Sequence, residues 1–156
     1  MRKIPLTQGK FALVDDEDFD ALNRRKWCAH KNWYTFYAVC FSPNVNGKRS
    51  MIYMHRQILK TQDGCLTDHI NGNGLDNRKE NLRVATHAEN IRNRRKQINN
   101  TSGYKGVSWY AQTKKWRAQL KYNGKKIHLG YFSNKDLAYE AYCVSTKDYY
   151  GQFARV

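Results

Sequence analysis

Asp68 and His69 stand side by side, Asn81 follows them across a stretch rich in Asn and Gly, and Asn90 lies a little further on. These are residue types that hydrolyse a phosphodiester. A neutral imidazole within reach of a water molecule acts as a general base near neutral pH, and His69 suits that role. Asn81 could hold the ring in the right tautomer by accepting a hydrogen bond from it. Asp68 and the side-chain carbonyl of Asn90 offer hard oxygens to one divalent ion, Mg2+ or Mn2+, and leave positions for phosphate and water. Such an ion stabilises the charge that builds on the phosphorane-like transition state and on the leaving oxygen. An EF-hand is excluded, because neither glycine of Asn71-Gly72-Asn73-Gly74 falls on the sixth position of a loop begun by an acid.

For these side chains to meet, the backbone between them must fold back. Cys65-Leu66-Thr67 favours a short strand, Asn71–Gly74 a loop, and Asn81-Leu82-Arg83-Val84 a return strand. Thr86 and Glu89 have the capping-box spacing, so a helix is expected from His87 to Gln97, with Arg94, Arg95 and Lys96 at its negative end. Strand, strand and helix in this order wrap the four residues around one point. Upstream, Trp33–Ser42 reads as a strand, residues 43–47 as a turn and Lys48–Met54 as a return strand, while Asp15–Asn23 suits a short helix. Four segments result: an N-terminal β-rich extension (1–50), the catalytic segment (51–98), a linker (99–103) and a third unit (104–156).

The third unit is two-faced. Val107–Tyr110, Trp116–Tyr122 and Lys125–Tyr131 read as strands, the last two joined through Asn123-Gly124, a strong hairpin signal. Trp116, Ala118, Leu120 and Tyr122 alternate with Arg117, Gln119 and Lys121, as Ile127, Leu129 and Tyr131 do with Lys126 and His128. A helix opened by a Ser133/Asp136 capping box and stopped at Gly151 is expected to cover the apolar face with Leu137, Ala141, Val144 and Ser145. The other face remains open, and a sheet of this width can enter a major groove.

Charge agrees with a polyphosphate partner. The formal net charge is +15, and between Arg78 and His128 there are 14 Lys or Arg against Glu80 and Glu89 alone. A neutral partner gives no reason for so concentrated a basic field. Hydrophobic residues make up 40% and aromatics 13%, which favours a packed fold over a disordered basic tail. The four cysteines, at 28, 40, 65 and 143, include no Cys-x-x-Cys pair, so neither a zinc ribbon nor a disulfide framework is expected. The longest apolar run, Trp33–Phe41, is too short to span a bilayer. Met1-Arg2-Lys3-Ile4-Pro5 does not open a sustained apolar stretch, so a cytoplasmic protein is expected.

Met54-His55-Arg56, Asp68-His69-Ile70-Asn71-Gly72-Asn73, Leu75-Asp76-Asn77-Arg78, Asn81-Leu82-Arg83 and Glu89-Asn90 resemble the HNH homing endonucleases of phages, over roughly residues 52–95. The resemblance implies a ββα-metal fold with Asp68 and Asn90 as ligands of a single ion, His69 as general base and Asn81 as its orienter. It also implies a mobile-element origin, and hence a phage-infected or bacterial host cell. His55 and Arg83 are expected to contact phosphate or serve structure. Residues 104–151 resemble the apetala-type (ethylene-response-factor) domain through Gly106-Val107, Trp116-Arg117-Ala118-Gln119-Leu120, Leu129-Gly130-Tyr131-Phe132 and Ala138-Tyr139-Glu140-Ala141-Tyr142. That resemblance implies base contacts from the polar strand faces, here Ser108, Tyr110, Gln119, Lys121, Lys126 and His128; Arg117 shares their face, and Arg94 and Arg95 supply further DNA contacts. The expected protein is thus an α+β, site-preferring DNA endonuclease acting on double-stranded DNA as a monomer or weak dimer. A DNA-binding regulator without catalysis and an RNA-binding or RNA-cleaving protein are the competing readings.

Overall fold

The computed structural model describes residues 1–156, divided into two units, Met1–His87 and Ala88–Val156. In the first unit, Arg2–Pro5 (β1) and Phe11–Val14 (β2) pair antiparallel from Arg2↔Val14 to Pro5↔Phe11. Asp16–Asn23 (α1) follows, its first turn carrying Asp16, Glu17 and Asp18 at the positive end of the helix dipole. Its buried Leu22 also accepts a hydrogen bond from Trp27 Nε1 at 2.8 Å. Cys28–Lys31 (β3), Phe36–Phe41 (β4) and Met51–Tyr53 (β5) form one antiparallel sheet in that order. The expected strands Trp33–Ser42 and Lys48–Met54 are both present in shortened form. The return strand gives way at Met54 to a helix, Met54–Leu59 (α2), which the alternation of residues 48–54 concealed.

Leu66–His69 (β6) and Leu82–Ala85 (β7) then pair antiparallel, with Asp68 opposite Arg83 and His69 opposite Leu82. One core holds Ile4, Val14, Leu22, Trp27, Ala38, Cys40 and Met54, with Ile58 and Leu75 packed against it. Residues on both sides of position 50 therefore share this core. A 50-residue segment buries too little apolar surface to be stable alone.

His87–Arg92 (α3) begins at the boundary between the units. It is shorter than the expected His87–Gln97. Arg92, Arg94, Arg95 and Lys96 would crowd like charge into one more turn, and the chain instead closes with Arg94 N donating to Ile91 O at 3.2 Å. Within the second unit the Lys105 ammonium donates to the carbonyls of Arg92 (2.6 Å) and Arg155 (3.0 Å). Residues 99–103, read from sequence as a linker, are tied down: Asn100 Oδ1 accepts from Gly103 N at 2.8 Å, and the buried Ser102 hydroxyl reaches Val107 O at 2.8 Å.

Val107–Tyr110 (β8), Lys115–Tyr122 (β9) and Lys125–Phe132 (β10) form a sheet with β9 in the middle. Lys135–Tyr150 (α4) covers one face and ends at Gly151, as expected. Its cap is Asn134, whose side chain accepts from Asp136 N at 2.8 Å; Ser133 sits one residue too early. The buried stripe is also displaced from the expected Leu137, Ala141, Val144 and Ser145. Ala138, Tyr142, Thr146 and Tyr150 face the sheet, while Leu137 and Val144 are exposed. Tyrosines decide the rotation, since two aromatic rings bury more apolar area than a Leu and a Val. Tyr150 keeps its hydroxyl satisfied by donating to Lys121 O (3.0 Å) and accepting from Lys121 N (3.2 Å). No helix of the chain is long and apolar enough to cross a membrane.

Gly106 (φ +75°) makes room for this helix: a Cβ there would lie 2.1 Å from the Tyr142 ring and 2.9 Å from Gln119 O. Gly106→Ala is expected to destabilise the second unit by about 2 kcal/mol or more. Urea denaturation followed by near-UV dichroism checks this, and a midpoint equal to wild type would contradict it.

Candidate active site

The side chains of Asn71, Asn73 and Asn81 hold much of the loop between β6 and β7. Asn81 closes both ends: its Oδ1 accepts from Asn71 N at 2.9 Å and its Nδ2 donates to Asp76 O at 2.7 Å. Asn71 Oδ1 accepts from Asn73 N (2.8 Å), Asn73 Oδ1 from Leu75 N (3.1 Å), and Asn71 Nδ2 donates to Asp76 Oδ2 (2.9 Å). Asp76 is further gripped by Arg78, whose Nε and Nη2 each donate to it at 2.8 Å, and these bonds hold its carboxyl below the usual range. Backbone bonds dock the loop on β2, with Leu13 N donating to Leu75 O and Asn77 N to Leu13 O, both at 2.8 Å. Gly74 is required on the other side, because a Cβ would meet Phe36 O at 2.5 Å and the Tyr37 ring at 2.6 Å.

This loop carries Asn77, fully buried, so that its Oδ1 lies 3.4 Å from His69 Nε2. An amide oxygen only accepts, so this contact calls for the tautomer that carries its proton on Nε2. Asn77, rather than Asn81, is thus the asparagine within hydrogen-bond distance of the ring. Asn81 is spent on holding the loop. Asn77 was legible in Leu75-Asp76-Asn77-Arg78, but nothing in its spacing distinguished it from its neighbours.

His69 packs edge-on to His55, with ring centroids 5.0 Å apart, and both rings touch Tyr37 at 5.7 and 5.6 Å. Burial lowers the His69 pKa from its ordinary 6.5; the bond to Asn77 and the charges of Asp68 and Asp76 offset part of this. Burial, the neighbouring His69 and Arg56 together push His55 down to about 3. Both imidazoles are therefore neutral at physiological pH. His55 Nδ1 is buried without a hydrogen-bond partner, a costly state for a polar atom.

Asp68, on the neighbouring strand position, is buried at 4% exposure and faces Arg83 across the β6–β7 pair. Arg83 Nη2 and Nε lie 2.7 and 2.8 Å from Asp68 Oδ2. Arg83 thus has a structural role here, because a carboxylate this deep needs a counter-charge. No cluster of three His, Cys, Asp or Glu converges anywhere in the chain. Of the Asp68 carboxylate, Oδ2 is the oxygen that Arg83 engages. Asn90 is half-buried on α3, in the second unit.

In the second unit, the sheet face away from α4 carries Ser108, Tyr110, Arg117, Gln119, Lys121, Lys126 and His128, of which Lys121, Lys126 and His128 are exposed. Arg94 and Arg95 are exposed beyond α3. Tyr131 joins this face, contrary to the expected alternation. A bulge between His128 and Gly130 (φ 134°) shifts the register, pairing Gly130 with Ala118 and Tyr131 with Arg117. The glycine inside the strand was the available signal.

The HNH endonuclease family model matches residues 60–92, the stretch that holds β6, the asparagine loop and β7. The chain is 36% identical to protein 3.8 of Escherichia phage T7 over 94 residues, which cover 59% of this chain and 75% of that one. It is 25% identical to an uncharacterised HNH endonuclease of Acanthamoeba polyphaga mimivirus over 153 residues, 94% of this chain and 74% of the relative. No solved structure matches the chain. The chain belongs to the viral family that includes protein 3.8 of phage T7, and its residues 60–92 form an HNH endonuclease element.

Proposed function

We propose that this chain is a metal-dependent endonuclease of the homing type that cuts double-stranded DNA. The observation that carries the reading is a buried, neutral His69 whose Nε2 faces Asn77 Oδ1, immediately beside the Asp68 carboxylate. His69 Nδ1 takes a proton from the attacking water, and Asn77 steadies the imidazolium that results through the Nε2–H bond. A bound Mg2+ or Mn2+, for which Asp68 would provide an oxygen, would supply positive charge for the transition state and leaving oxygen. Arg83 fixes the Asp68 carboxylate, and Asn81 keeps the loop closed so that Asn77 stays in register with His69. The basic strand face and Arg94 and Arg95 hold the duplex through its phosphates. One such site per chain makes a nick the product of a single monomer.

A DNA-binding regulator is the competing reading, and the hold of Arg83 on Asp68 Oδ2 favours it, since that oxygen is already engaged. Conversion of supercoiled plasmid to nicked form separates the two. Nicking is expected with Mg2+, none with chelator, and a loss of about 100-fold or more in His69→Ala. DNA binding without cleavage under any divalent ion would establish the regulator.

The pH profile tests the base and its partner. A base whose pKa lies below 6.5 is mostly deprotonated at neutral pH, so nicking should rise through an acid limb whose midpoint lies below 6.5. The Asn77 bond favours the protonated ring and so raises this pKa; Asn77→Ala should therefore slow nicking and move the acid limb to lower pH. A slower variant with an unmoved acid limb would reduce Asn77 to a packing role.

A further inference from the structure

The open face of the second unit's sheet is not a plain array of cations. Its middle is roofed by an aromatic pair. The outer strands β8 and β10 lie about 10 Å apart across β9, yet the Tyr110 and Tyr131 centroids are only 5.1 Å apart, with an interplanar angle of 29°. Both rings therefore lean inward over the central strand. Arg117 lies beneath them, its guanidinium carbon 5.2 Å from the Tyr110 centroid, its Nη2 3.4 Å from Ser108 Oγ and its Nε buried without a partner. His128 closes the row at 4.5 Å from Tyr131. The guanidinium that alternation would offer to a base edge is thus sequestered, and two phenol rings stand where it would reach.

The geometry of this row determines what it can bind. Arg117 and Tyr131 flank Tyr110, while Tyr110 and His128 flank Tyr131. Stacked on each other, and with Arg117 over the Tyr110 ring, the tyrosines have part of their ring faces already occupied, which makes them a poorer platform for stacking unpaired bases than free rings would be. Aromatic rings on a sheet that carries Lys121 and Lys126 on the same face match the major groove of a duplex, where the thymine C5-methyl is the one apolar feature on a base edge. We propose that Tyr110 and Tyr131 read thymine methyl groups in the major groove, with Arg117 as the residue that positions them. This rests on the reading of the sheet as a duplex-binding face.

The test changes the DNA before it changes the protein. A pool of 40-bp duplexes with randomised centres is copied with dTTP or with dUTP, two pools that differ only in the methyl group, and is bound to the full chain in chelator. Affinity should fall about fourfold for each buried methyl group that uracil removes, and the double variant Tyr110→Ala with Tyr131→Ala should bind the two pools alike, near the wild type's dUTP level. Equal affinity of the wild-type chain for both pools overturns the inference, as does tighter binding to the single-stranded pool. Lys121→Ala with Lys126→Ala tests the underlying reading separately. If the pair leaves duplex affinity and its salt dependence unchanged, the sheet is not the DNA-binding face; if they fall while thymine and uracil remain equivalent, only the methyl reading fails.

Discussion

The two hydrogen bonds of the Asn81 side chain, one to Asn71 N and one to Asp76 O, convert a flexible asparagine- and glycine-rich segment into a fixed element. Around that closure the rest of the first unit falls into place. Asp76 is locked between Asn71 and Arg78, the adjoining backbone docks on β2, and the next residue, Asn77, is delivered into the interior beside His69. A loop of this composition has a large conformational entropy to lose. Side-chain-to-backbone bonds from Asn are the economical way to offset it, since each replaces a backbone partner that a strand or helix would have supplied.

Burial then sets the chemistry. The same packing of Tyr37, His55 and His69 that buries the two imidazoles lowers the pKa of both and favours their neutral forms. Asp68 survives at similar depth because Arg83 is its cross-strand partner. The guanidinium one strand away reaches the carboxylate through sheet register. Two adjacent residues on β6 are thus stabilised by separate devices, one electrostatic and one by an amide.

How much of this could be read from the sequence depended on the range of the interaction. The order β6, β7, α3, the hairpin through Asn123-Gly124 and the stop at Gly151 follow from local turn and cap chemistry, and the structure contains them. The pairing of Asp68 with Arg83, by contrast, needed the strand register. Asn77 rather than Asn81 facing His69 needed the three-dimensional course of the loop, since both are asparagines within a few positions of each other. In the second unit, strict alternation placed Tyr131 with Ile127 and Leu129, and one extra residue at the bulge reversed it. The helix stripe was misassigned by ranking Leu137 and Val144 above tyrosines, which the sheet in fact selects for their size.

The asparagine loop also bears on how the molecule ages. Asn71-Gly72 and Asn73-Gly74 are the sequence type most prone to deamidation, a reaction in which the glycine amide nitrogen attacks the preceding side chain. In the folded loop both nitrogens are engaged, Gly72 N with His69 O at 2.8 Å and Gly74 N with Thr35 Oγ1 at 3.0 Å. The hydrogen bonds that shape the site therefore also protect it chemically. A copy that unfolds, even transiently, exposes two such steps beside its most important residues, so the working lifetime of the site is tied to how seldom the loop opens.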